Sequence, residues 1–155
     1  MKPLTKPLIV GLGNRWRGDD GVGPRVVEVI AALGRDDVDV VELDGETSRL
    51  VSAWAGRQHV VLVDAVRAGA PPGTIHQLIG PDRIPTVVGE ASTHGGGVAA
   101  AVALSRALGN LPVRLVIVGV EPAAVDHDDQ LSSAVACVLD DVVERVLEEV
   151  SGACV

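Results

Sequence analysis

Pro7-Leu8-Ile9-Val10-Gly11-Leu12-Gly13-Asn14, followed by Gly18-Asp19-Asp20-Gly21-Val22-Gly23, is the stretch that decides the fold. Leu8–Leu12 is a continuous apolar run that reads as a buried strand. From Gly21 to Leu33, apolar Val22, Val26, Val29, Ile30 and Leu33 recur at helical spacing, and Gly34 supplies a stop signal. Pro24 falls in the first turn of that helix, where its missing N–H costs little. A glycine turn between a strand and a helix usually cradles a phosphate. This one presents Asp19 and Asp20, which points to a cation or a peptide rather than a nucleotide.

Strand and helix signals alternate through the rest of the chain, with no internal repeat, low-complexity block or linker. The spacing predicts strands at Val38–Leu43, Val60–Val63, Thr74–Leu78 and Val113–Val118. It predicts helices at Arg49–Ala55, from an N-cap at Thr93 through Leu108 to a stop at Gly109, and over Leu131–Val150. Val60–Val63 is apolar enough to be central, and half-polar Thr74–Leu78 reads as an edge. The short turn at Ala70–Gly73 makes that edge strand antiparallel. The expected fold is therefore α/β: residues 1–155 form a single three-layer domain, with a mostly parallel five-stranded twisted sheet, one antiparallel strand, and helices on both faces.

Composition narrows the function. The 155 residues are 47% apolar, with no Phe and no Tyr, so the core is built from Val, Leu, Ile and Ala, with Trp16 and Trp54 as the only aromatic rings. A net charge of -8 argues against nucleic acid, whose phosphates need a basic face. No apolar run reaches the ~18 residues of a membrane span, and Met1–Pro7 lacks the apolar stretch of a signal peptide. Cys137 and Cys154 have no metal or redox spacing; Cys137 is expected to be a small core residue. A cytoplasmic monomer is the consistent expectation.

In open sheets of this kind ligands bind beyond the carboxyl ends of the strands. Asn14, Asp19 and Asp20 follow the first strand, Asp44-Gly45-Glu46 the second and Asp64 the third. Ser92-Thr93-His94 opens a helix, and Glu121-Pro122 follows the last strand. Doubly wound topology brings Asp20, Asp64 and His94 to one crevice. Two carboxylates and an imidazole suit a borderline divalent cation, with a coordination position left for water or substrate. The same trio can do acid–base work on a water. Other readings remain open: Asp19 or Asp20 as a cap for the first helix, Asp64 as a turn cap and His94 as a surface residue. His59, His76 and His127 have no converging acids in the sequence and read as surface or edge positions. A dinucleotide site fits poorly, because Trp16 stands where the third glycine of G-x-G-x-x-G belongs.

Taken together, Gly11-Leu12-Gly13-Asn14 with Gly18-Asp19-Asp20-Gly21-Val22-Gly23, Val61-Leu62-Val63-Asp64-Ala65, Ser92-Thr93-His94 and Val118-Gly119-Val120-Glu121-Pro122 resemble, in order and spacing, the motifs of the NiFe-hydrogenase maturation protease family. The resemblance covers most of the chain. It implies an endopeptidase that removes a C-terminal extension from the precursor of the hydrogenase large subunit after nickel insertion. It maps the metal-contacting role onto Asp20, Asp64 and His94; Asn14, Asp44 and Glu121, from their places after the strands, are the candidates for substrate recognition. It further implies no permanently bound cofactor: Ni²⁺ arrives with the substrate, and Zn²⁺ or Cd²⁺ can take the same place. The chain departs from the family pattern at Gly95-Gly96-Gly97 and at Glu46. Two other readings stay open, a non-catalytic nickel-binding assembly module for the same precursor and a same-fold peptidase with another precursor.

Overall fold

The computed structural model describes residues 5–80, 95–123 and 129–152. Five strands, β1 (Leu8–Leu12), β2 (Asp39–Leu43), β3 (His59–Ala65), β4 (Ile75–Ile79) and β5 (Arg114–Val120), form one sheet in the order β2-β1-β3-β5-β4. All neighbours are parallel except β4, which runs antiparallel along β5 at the edge. β3 is central and every one of its residues is buried, as its apolar run predicts. The helices are α1 (Val22–Ala32), α2 (Thr47–Trp54), α3 (Gly95–Leu108), α4 (Ser133–Ala136) and α5 (Leu139–Gly152). The expected α/β architecture is present.

Alternation along the strands builds two cores. Ile9, Val61, Val63, Val116 and Val118 point to one face and pack with Val26, Ile30, Val142 and Val146 of α1 and α5. Leu8, Val10, Leu12, Leu62 and Ile117 point to the other, against Leu50 and Trp54 of α2 and Val98 and Val102 of α3. The opposite faces follow from handedness. The β1–α1–β2 and β2–α2–β3 crossovers travel in opposite directions across the sheet, so right-handed connections place α1 and α2 on opposite sides. That reversal occurs between β1 and β3 and opens a crevice at their carboxyl ends.

α1 lies unusually close to the sheet. A Cβ on Gly23 would stand 2.3 Å from the Leu12 carbonyl oxygen and 2.4 Å from that of Val63. Gly13 has φ 133, a left-handed region that favours glycine, and a Cβ there would strike the backbone oxygen of Asp20. The glycines of the opening motif thus press α1 and the turn before it onto β1 and β3.

Three expectations are corrected. The predicted Leu131–Val150 helix is two helices: Ser132 caps α4, and the Val138 amide bonds back only three residues, to Val135, which tightens and ends the turn before α5. Cys137 lies at that break and is exposed, so it is not a core residue. Val29 on α1 and Leu33 at its C-cap face outward rather than into the core, because the stripe contacting the sheet is narrower than the apolar pattern. On α5, the Glu149 side chain is buried against the sheet.

Candidate functional site

The turn between β1 and α1 is built around carboxylates. Gly18–Gly21 forms one 3-10 turn, and both acids inside it are buried. Neither provides a side-chain cap for this turn or for α1. Asp20 instead reaches back to the strand end, where its Oδ2 accepts the Asn14 amide at 2.9 Å. Asp19 turns the other way and accepts the Ala123 amide at 2.8 Å, the Ser132 amide at 2.7 Å and the Ser132 hydroxyl at 2.8 Å. One acid therefore ties the turn to β1, and its neighbour ties it to the segments after β5. These links, rather than helix capping, account for two adjacent acids.

Asp64 stands at the carboxyl end of β3, fully buried, opposite Gly119 of β5. Its Oδ1 lies 2.9 Å from the Ala65 amide. The 3-10 turn carrying Asp20 packs directly on β3. Alternation places Asp64 on the face of Val60 and Leu62, the face that α2 and α3 cover. Asp20 and Asp64 thus flank the crevice where the crossover direction reverses. His94, with Ser92 and Thr93, lies outside the described residues, as do His127 and Cys154. Among the described residues no group of three or more His, Cys, Asp or Glu side chains is arranged to hold a metal ion.

The start of α3, immediately after His94 in sequence, is seated on the β2–α2 loop. The Gly97 carbonyl accepts the Thr47 hydroxyl at 3.2 Å, and a Cβ on Gly97 would meet the Gly45 carbonyl oxygen at 2.0 Å. Gly97, the last glycine of that departure, therefore has a steric reason: backbone passes against backbone here. Asp44, in the same loop, is exposed; it accepts the Glu46 amide at 3.1 Å and pairs with Arg49 at 2.6 Å. Glu46 is the N-cap of α2, with its carboxylate accepting the Ser48 and Arg49 amides.

Glu121, at the end of β5, is buried and faces the loop after β3. Its oxygens accept the Ala68 and Gly69 amides at 3.0 Å and lie 2.9 Å from His76 Nε2. Burial pushes its carboxyl up, but the amides and His76 outweigh that and hold it below the ordinary glutamate value. His76 therefore does have an acid partner, contrary to the expectation, because antiparallel pairing of β4 with β5 brings it beside Glu121.

His59 is likewise corrected: it is buried, with Nε2 3.1 Å from Glu149. Glu149 also accepts from Arg114 and from Gln77 and so joins α5 to β3, β4 and β5. Burial, with Arg114 adding, holds His59 below its ordinary value despite Glu149. A recess of about 620 Å³ adjoins this cluster at the amino ends of the strands, away from the carboxyl-end crevice. Neither Asp20 nor Asp64 is among the residues that line it. The pairings of His59 and His76 are long-range, and nothing in the local sequence signals them.

With this geometry in hand, the comparisons are direct. A family model described as HycI, hydrogenase maturation protease, matches residues 24–149. The hydrogenase expression/formation protein HupD of Thiocapsa roseopersicina is 35% identical over 130 residues, covering 81% of this chain and 58% of its own length. The hydrogenase 2 maturation protease of Escherichia coli (strain K12) is 29% identical over 146 residues, covering 90% of this chain and 87% of its own. Among solved structures, the hydrogenase maturating endopeptidase HybD from E. coli superposes with a TM-score of 0.87 at 26% identity, over 96% of this chain and 94% of that one.

Proposed function

Since this chain belongs to the hydrogenase maturation protease family, we propose that it is an endopeptidase that removes the C-terminal extension of a NiFe-hydrogenase large-subunit precursor once nickel has been inserted. Nickel bound in the precursor is the recognition element, and the protease holds no resident cofactor of its own. Asp20, Asp64 and His94 contact that nickel. Asn14, Asp44 and Glu121 shape the approach of the peptide, Asn14 and Glu121 by holding the loops on either side. The observation that carries this reading is the placement of two buried carboxylates, Asp20 and Asp64, on mutually packed elements at the carboxyl ends of β1 and β3.

In the proposed reaction a water polarised by the substrate's nickel adds to the scissile carbonyl. A carboxylate takes the proton from the water and passes it to the departing amine as the C–N bond breaks. If the nickel only positions the peptide, exchanging it for zinc in the precursor leaves the rate unchanged; if it polarises the water, the rate changes with the metal.

The test is the intact mass of a large-subunit precursor before and after incubation, with and without nickel. Loss of one C-terminal peptide from the nickel-loaded form alone supports the reading. Unchanged mass with stable binding refutes proteolysis and favours an assembly module.

A further inference from the structure

Trp16 is 65% exposed, whereas the only other aromatic residue of the chain, Trp54, is fully buried. The remaining exposed large apolar side chains among the described residues are Val29, Leu33, Ile79, Leu104, Leu108 and Val113. They lie on the later halves of α1 and α3 or toward the amino ends of the strands. Trp16 alone of this set stands at the carboxyl ends, in the turn that Asn14 ties to Asp20.

The turn that displays it is locked. The Trp16 amide donates to Asn14 Oδ1 at 2.9 Å, and the Arg17 amide closes a turn on the Asn14 carbonyl at 3.1 Å. Asn14 itself is bonded through its amide to the Asp20 carboxylate. Arg15, the residue before it, pairs with Glu42 at 2.7 Å and with Glu28 at 3.7 Å. An exposed indole on a loop this firmly braced is presented at little entropic cost on binding.

We propose that Trp16 is a specificity-determining residue: it packs against an apolar side chain of the precursor polypeptide close to the metal-bound segment that the protease cleaves. The proposal rests on the protease reading above. The occupant follows from position. Trp16 is two residues from Asn14, at most about 7 Å along the chain, and Asn14 touches Asp20. A polypeptide whose metal lies at Asp20 therefore passes the indole within a few residues.

The experiment uses the full chain with 5-fluorotryptophan, which yields two ¹⁹F resonances, assigned through Trp16→Leu. Nickel-loaded precursor is titrated in, and cleavage kinetics are measured for wild type, Trp16→Ala and Trp16→Phe. We expect the Trp16 resonance to move while that of Trp54 stays, which also reports an intact fold. We expect KM to rise at least tenfold in Trp16→Ala, within the range of truncated aromatic anchors, with kcat within about twofold and Trp16→Phe restoring most of the loss. If wild type cleaves but Trp16→Ala has unchanged KM and the Trp16 resonance stays still, the inference falls and the protease reading stands. If the resonance moves without any cleavage, docking through Trp16 stands and the protease reading falls. If the precursor neither moves the resonance nor is cut, both fall.

Discussion

Replacing Gly23 with alanine adds one methyl group where α1 crosses the sheet. That carbon would lie 2.3 Å from the Leu12 carbonyl oxygen, 2.4 Å from the Val63 carbonyl oxygen and 2.8 Å from the Leu12 nitrogen, against about 3.4 Å for ordinary contact. All three atoms are backbone, so no side chain can turn aside, and α1 must retreat by about 1 Å. Overpacking of this kind costs roughly 1–3 kcal/mol. For a chain of this size that lowers the melting temperature by about 3–9 °C. The matching control is Gly152→Ala, where nothing lies within 4 Å; alanine at this helix end is neutral or stabilising by up to about 1 kcal/mol. The assay is thermal unfolding followed by circular dichroism, paired with precursor cleavage. Retreat of α1 carries with it the turn that holds Asp20, and a misplacement of about 1 Å can lower catalysis about 10²-fold. A Gly23→Ala protein that melts within about 1 °C of wild type and cleaves normally would refute the close approach of α1 to β1 and β3.

Asp19→Ala strips three donors of their acceptor and is expected to lower unfolding free energy by about 2 kcal/mol in urea, with Asp19→Asn intermediate; a loss under about 0.5 kcal/mol contradicts the tether. The Trp54 indole donates to buried Ser105 Oγ at 2.7 Å. Trp54→Phe and Ser105→Ala should each destabilise by about 1–3 kcal/mol, while the double variant falls short of their sum by about 1 kcal/mol; strict additivity excludes the bond. For pH, burial depresses His59, so its contribution to stability is present above about pH 6.5 and is lost as pH falls. Glu149 is pushed up by burial but held net low by Arg114 and His59, so its contribution is lost further down, below the ordinary glutamate range near 4.5. The melting midpoint should therefore decline from pH 7 to 5, and His59→Gln should flatten that decline; parallel profiles for the two proteins would count against it.

Much of the fold was legible because its signals are local. Periodicity marked β1, α1 and the buried β3; Gly34 (φ 64) and Gly109 (φ 72) end their helices where the sequence places the stops; and the half-polar edge strand with its short preceding turn predicted an antiparallel β4. Strand-end reasoning also nominated Asp20 and Asp64, and both side chains are buried, Asp20 in the turn before α1 and Asp64 near the end of β3. The partners of the polar groups were not legible. Asp19 looked like a cap, yet it bonds to a serine 113 residues away. His59 and His76 looked solitary, yet each meets a glutamate brought in by another element.

By itself the sequence determined most of the secondary elements, the α/β layering and the residues that carry charge after the strands, because hydrophobic period, glycine and proline act within a few residues. Only the tertiary structure decided which acids are buried and which loops they brace, why Gly23 and Gly97 tolerate no side chain, and that one tryptophan is core while the other stands exposed. Those outcomes depend on distances between segments remote in the chain, which sheet order and crossover handedness set and local pattern does not encode.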